Sequence, residues 1–173
     1  MNFITHKFFN LILVASVVGG TNINLAIAES ANAIVQIKTT VLAGCTLDAP
    51  ETVSLDNIPS SAFNGKHVGD NLTDYAKTFN LTATCSGTDK YKYTFQVTES
   101  DASCIKTNAD FMRYCLKSND KDINLSSTTA TLNWDITKDG NITPITVIPQ
   151  VASTTSTPVG EVNGQITITI EPM

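Results

Sequence analysis

Apolar and polar residues alternate along this chain with a period of two, and from Cys45 onward no segment keeps an apolar stripe at helical spacing. The first alternating run, Ala31 to Cys45, places Ala33, Val35, Ile37, Val41 and Ala43 on one face with Cys45, while Asn32, Gln36, Lys38 and Thr40 interrupt the other. Nothing before it offers a hairpin partner, so its sheet is expected elsewhere, in a neighbouring copy or a sister subunit. Val53 to Ile58 predicts a short strand ended by Pro59, and the polar stretch Ser60 to Asp74 a loop. Phe79, Leu81, Ala83 and Cys85 alternate with Asn80, Thr82 and Thr84; Tyr91, Tyr93, Phe95 and Val97 alternate with Lys90, Lys92, Thr94 and Gln96. Leu132, Trp134 and Ile136 form a further strand, and Lys138-Asp139-Gly140-Asn141 after it predicts a hairpin turn, since Gly, Asn and Asp tolerate positive φ. The strand Ile142 to Val151 contains Pro144 and Pro149 and is therefore expected at a sheet edge. Ser153 to Thr157 reads as a loop, and Gly164 to Glu171 closes the chain with Ile166, Ile168 and Ile170 on one face. Short strands divided by turn residues predict an all-β sandwich or barrel.

Composition changes the picture at the N-terminus. Residues 1–28 have the three parts of a secretion signal: Lys7, an apolar run from Phe8 to Val18, and Ala26-Ile27-Ala28 as a small-x-small cleavage site, with Ala31-Asn32-Ala33 as a second-ranked alternative. The apolar run is about half of the roughly 20 residues a membrane-spanning helix needs. The expected mature chain starts at Glu29, with 29–44 as an N-terminal arm and 45–173 as one β-sandwich domain. Losing Lys7 takes Lys plus Arg from 11 to 10 against 16 Asp plus Glu, a net charge of −6, and Arg113 is the single arginine. That balance argues against nucleic acid or anionic membranes as partners.

All four cysteines, Cys45, Cys85, Cys104 and Cys115, lie in the expected mature part. An even count in a secreted chain reads as two disulfides, and spacing alone leaves three connectivities open. Strand parity favours one of them, because Cys85 points inward with Leu81 and Ala83 as Cys45 does with its own run. The expected bridges are therefore Cys45 to Cys85, tying the architecture together, and Cys104 to Cys115, bracing a small loop after the Tyr91 strand.

These features together resemble the subunits of chaperone–usher fimbriae (pili) of Gram-negative bacteria, over the whole expected mature chain. They are the signal, the alternating arm ending in a cysteine, a second cysteine 40 residues later in Phe-Asn-Leu-Thr-Ala-Thr-Cys, and an alternating C-terminal strand preceded by glycine. The resemblance implies an incomplete immunoglobulin-like sandwich that lacks its last strand. Its open groove would be filled first by a periplasmic chaperone and then, at the outer-membrane usher, by the arm of the next subunit, through strand addition at a sheet edge. Carried over, the donor-strand positions are Ala33, Val35, Ile37, Thr39 and Val41, with Thr39 where the family often has glycine. The chaperone and groove edge would comprise Gly160, Ile166, Ile168 and Ile170, with Pro172 where the family has an aromatic. The resemblance further implies a fimbrium at the cell surface, reached through the periplasm, supporting adhesion to a host surface glycan or protein.

Residues with catalytic or ligand-binding chemistry are sparse. His67 is the only histidine of the expected mature chain and stands in a polar, Gly-containing loop, so catalytic triads have one residue to rest on. The cysteines form no C-x-x-C pair for zinc. Asp120-x-Asp122-x-Asn124 has the start of a calcium loop but lacks its glycine and closing glutamate, and reads as a solvated turn. Asn71, Asn80, Asn124 and Asn141 begin Asn-x-Ser/Thr sequons, which read here as ordinary Thr-rich β sequence. Trp134, Tyr91, Tyr93 and Tyr114 are candidates for a sugar platform, but aromatics at period two are more often core. The expectation is a non-enzymatic structural subunit without cofactor. Its rivals are a glycan-binding tip adhesin, and a complete monomeric sandwich whose first strand pairs within its own chain.

Overall fold

The structure, a computed structural model, describes residues 38–173. The chain divides into a unit ending at Thr39 and a unit from Thr40 to Met173. Of the first, only Lys38 and Thr39 are described, both exposed and outside any strand. The second holds ten strands and one α-helical turn: β1 (Gly44–Asp48), β2 (Lys77–Ser86), β3 (Lys90–Gln96), β4 (Ser100–Asp101), β5 (Cys104–Lys106), β6 (Met112–Ser118), β7 (Lys121–Ile123), β8 (Thr129–Asp135), α1 (Ile136–Asp139), β9 (Ile142–Val151) and β10 (Thr167–Pro172), with 3-10 turns at Ser60–Phe63 and Thr73–Tyr75 between β1 and β2. All pairings are antiparallel. One sheet runs in the order β1-β2-β9-β6-β5-β4, with β7 also paired to β6; the other runs β10-β3-β8.

The alternation read from the sequence decides which face each strand buries. Leu81 and Ala83 of β2, Ile145 and Val147 of β9 and Leu116 of β6 meet Tyr91, Tyr93 and Phe95 of β3 and Trp134 of β8 in one core between the sheets. Tyr91, Tyr93 and Phe95 are fully buried, and the Tyr91 and Tyr93 rings meet edge to face at 5.1 Å. Burying each such large side chain contributes about 1.5–3 kcal/mol. A smaller cluster of Leu72, Phe111, Met112 and Val151, with Phe63 against Phe111, lies apart from this core.

Four expectations are corrected. Val53 to Ile58 is not a strand: no partner strand lies beside it among the described residues, although Val53 and Leu55 still pack against the core. The stretch from Cys104 to Cys115 is more than a loop, since β5 and β6 pair within it, Ile105 opposite Tyr114. Lys138 to Asn141 does turn the chain, with Gly140 at φ 77°, but it joins no hairpin. β3 takes the hydrogen bonds of β8, and α1 carries the chain across to the other sheet.

The fourth correction concerns β9, which lies centrally between β2 and β6 rather than at an edge. Its prolines are tolerated because each stands where a neighbour has run out. The Pro149 carbonyl faces the side of β2 and accepts from the Leu72 N–H of the preceding loop, beyond the last β2 pair, Lys77 with Val147. By alternation the Pro144 nitrogen faces the side of β6, where pairing ends at Lys117 with Thr146. A central strand thus offers proline a local edge at each end.

The buried phenols carry a pH signature. Burial pushes the Tyr93 hydroxyl well above the ordinary tyrosine range, overcoming the Thr143 hydroxyl that donates to it, and burial also raises Tyr114. Both groups hold their protons in the folded state at pH values where the unfolded chain loses them. Their contribution is therefore present below about pH 10 and is lost as pH rises above it, by up to about 1.4 kcal/mol per pH unit for each such proton. Melting temperature should fall steeply between pH 10 and 11, and Tyr93→Phe should flatten that fall. A wild-type profile without the fall would contradict it.

Candidate functional site

A groove of about 990 Å³, with an apolar floor and walls of mixed polarity, opens between the two sheets. One wall is the unpaired stretch from Ala49 to Ile58 that follows β1; the other is Pro158 to Ile168, which leads into β10. The floor is made by Phe79, Ile105, Phe111, Met112, Tyr114, Leu116 and Val147. Physically, the groove is core left uncovered, because residues that face inward on β6 and β9 meet the small sheet only as far as β10 reaches.

β10 forms the rim. It pairs with β3 from Thr167 opposite Gln96 to Pro172 opposite Tyr91, and among the described residues no strand is hydrogen-bonded to its other side. That side presents unpaired backbone N–H and C=O groups to any strand laid along it. Ile166, Ile168 and Ile170 are half-buried against the core, whereas Thr167, Thr169 and Glu171 are exposed. The structure therefore places the three isoleucines on one inward face, and Ile166 and Ile168 also line the groove.

The chain reaches this rim under tight local control. Asn108 and Asn163 exchange backbone and side-chain hydrogen bonds, the Asn108 N–H donating to the Asn163 carbonyl and the Asn163 N–H to Asn108 Oδ1. The Tyr114 hydroxyl donates to the Val162 carbonyl at 2.9 Å. Gly164 passes so close to the floor that a Cβ there would stand 3.0 Å from Tyr114 Cδ2 and 3.1 Å from Ile105 Cγ2. Gly160 lines the same wall, at φ 121°, a conformation that favours glycine.

Both disulfides join residues directly opposite on adjacent strands. Cys45 of β1 is bridged to Cys85 of β2, with Cα atoms 4.1 Å apart, and packs against the core. Cys104 of β5 is bridged to Cys115 of β6, with Cα atoms 4.4 Å apart, beside the inward pair Ile105 and Tyr114. Of the donor-arm positions, Ala33, Val35 and Ile37 lie outside the described residues. Thr39 and Val41 are exposed and in no strand, Val41 being 91% exposed.

The remaining chemical candidates fall apart in space. His67 is exposed in its loop, where its backbone N–H donates to Asp70 and thereby lowers the pKa of that carboxyl. Asp120 follows Asn119 in a two-residue hairpin turn between β6 and β7, both at positive φ. Asp122 pairs with Lys117 instead, and Asn124 Oδ1 accepts from the Ser126 N–H. Tyr91, Tyr93 and Trp134 are core, so they offer no sugar platform, and the Trp134 indole N–H donates to the Gly140 carbonyl. Sequence reasoning missed the groove floor on β5 and β6, although Met112, Tyr114 and Leu116 alternate with Arg113, Cys115 and Lys117 and held the signal. It also missed the role of Arg113, which is buried and donates to Gln150 Oε1 at 2.6 Å and Asp101 Oδ1 at 2.9 Å.

No family model matches the sequence, and no curated protein matches it. Among solved structures, the P pilus rod subunit PapA is similar with a TM-score of 0.55 at 12% identity, over 75% of this chain and 99% of PapA. The CupB6 tip adhesin from Pseudomonas aeruginosa gives a TM-score of 0.41 at 11% identity, over 74% of this chain and 44% of that one, a likeness too slight to carry an argument. With two antiparallel sheets, an open groove and β10 at its rim, the chain thus folds as a pilin-type immunoglobulin-like β-sandwich, similar to the P pilus rod subunit.

Proposed function

We propose that this chain is a non-enzymatic structural subunit of a surface fimbria, joined to its neighbours by donor-strand exchange after a periplasmic chaperone has delivered it to an outer-membrane usher. The observation that carries the reading is the β10 edge beside a groove with an apolar floor, with no strand hydrogen-bonded to that edge among the described residues. A strand laid there would gain backbone hydrogen bonds from β10, and its alternate side chains would enter the groove and set its register. The arm of residues 29–44 alternates as such a strand requires, and its described end, Val41 and Leu42, stands in solvent. The assembled fimbria would leave by the periplasm and support adhesion at the cell surface.

The test is strand exchange. The subunit purified as a complex with its chaperone should release the chaperone when given a synthetic peptide of residues 29–44, and the product should melt well above the chaperone-bound form. The same peptide with Ile37→Asp should fail, because a charge would enter the groove without a partner. A subunit that remains monomeric without a chaperone and ignores the arm peptide would refute the proposal.

A further inference from the structure

We infer that the Cys104–Cys115 bridge is the device that shapes the strand-accepting rim, so that the groove becomes competent only once this second disulfide has closed. The inference rests on the proposed function for its biological meaning and on geometry for its substance.

The bridge joins directly opposite residues of β5 and β6, and the next opposite pair along the two strands is Ile105 and Tyr114. Neighbours in a strand point to opposite faces, so a bridge on one face fixes which residues occupy the other. A slip of one residue between β5 and β6 would turn Ile105 away from the groove. The other ties are a short ladder and a few hydrogen bonds, since β5 is three residues long and β4 two, with Thr107 donating to the Met112 carbonyl and Arg113 to Asp101; the bridge is the covalent one.

Ile105 and Tyr114 are the two side chains against which Gly164 passes, at distances that leave no room for a Cβ without movement. Tyr114 also holds the Val162 carbonyl, and Asn108, two residues after β5, holds Asn163. The stretch that launches β10 therefore rests on the segment the bridge pins. The Cys45–Cys85 bridge lies elsewhere in the large sheet, between β1 and β2, which pair with neither β5 nor β6. Closing the second bridge converts two thiols to one disulfide, and the two electrons and two protons pass to a disulfide-bearing oxidant, which is left as a dithiol.

The experiment compares hydrogen exchange in the full chain with both bridges formed and in the Cys104→Ser/Cys115→Ser variant, which keeps Cys45–Cys85. Amides of residues 161–172 should exchange at least tenfold faster in the variant, while those of β2 keep their protection. Unchanged exchange at 161–172 would overturn the inference, and so would equal acceleration in β2, which would mark a general loss of stability. If the double variant does not fold, Ile105→Ala with both bridges intact gives the same reading: faster exchange at 161–172 supports the inference and unchanged exchange overturns it. Binding of the residue 29–44 peptide, followed separately, should be at least tenfold weaker in either variant. Failure of the oxidised wild-type chain to bind that peptide would refute the proposed function while leaving the exchange comparison intact.

Discussion

If the chain is the chaperone-delivered subunit proposed above, replacing Ile168 with Asp should abolish its capture by the chaperone, and with it the yield from the periplasm. Ile168 sits opposite Phe95 in the β3–β10 ladder, faces the core and lines the groove. A carboxylate there meets apolar neighbours on the sheet side and apolar side chains of any incoming strand on the other. Leaving it charged and unpaired in a dry site costs several kcal/mol, which at about 1.4 kcal/mol per tenfold weakens binding by several orders of magnitude. The same substitution at Thr167 or Thr169 places the charge on the exposed face and should leave capture within about threefold of wild type. Co-purification of each variant with the chaperone provides the comparison. If Ile168→Asp is captured as well as Thr167→Asp, β10 is not the edge that receives a strand.

The second large effect is expected at the first disulfide. Cys85→Ser should abolish folding of the isolated domain, whereas Cys115→Ser should lower stability by about 3 kcal/mol or less. The Cys45–Cys85 bridge closes a loop of 40 residues and the Cys104–Cys115 bridge one of 11, contributions of roughly 4 and 3 kcal/mol in the chain-entropy model. The difference in outcome comes from position more than from loop length. Cys45 and Cys85 pack against the main core, and β1 is an edge strand of five residues whose continuation, Ala49 to Ile58, has no strand pairing and forms a groove wall. Without the bridge, that edge and wall hang on one short ladder, and a domain with an open groove has little stability in reserve. Urea denaturation of the two single variants would check the claim, and equal losses of stability would refute it.

Much of this was legible in the sequence, and the reasons are local. Period-two alternation at Phe79 to Cys85, Tyr91 to Val97, Leu132 to Ile136 and Ile166 to Ile170 announces strands with one buried face, because adjacent side chains point to opposite sides whatever the fold. The same parity put Cys45 and Cys85 on inward faces, where the structure joins them. Val53 to Ile58 shows where the argument fails. Its alternation is correct, and Val53 and Leu55 do point to the core, but a strand also needs a neighbour's backbone, which alternation does not supply.

The sequence by itself thus determined the β class, the inward faces of the longer strands and the chemistry of the C-terminal rim, all of which follow from side-chain polarity and the geometry of an extended backbone. Only the tertiary structure decided which strands are neighbours. Partners distant in the chain meet through topology, so the sequence did not show that Pro144 and Pro149 stand where β6 and β2 have run out, nor that the turn at Gly140 crosses between sheets. For the same reason the groove could not be read as a set of residues. Ile105, Tyr114 and Gly164 are unremarkable in sequence, and they matter because β5, β6 and the start of the last strand converge on one spot, where a Cβ would press on the Tyr114 and Ile105 side chains.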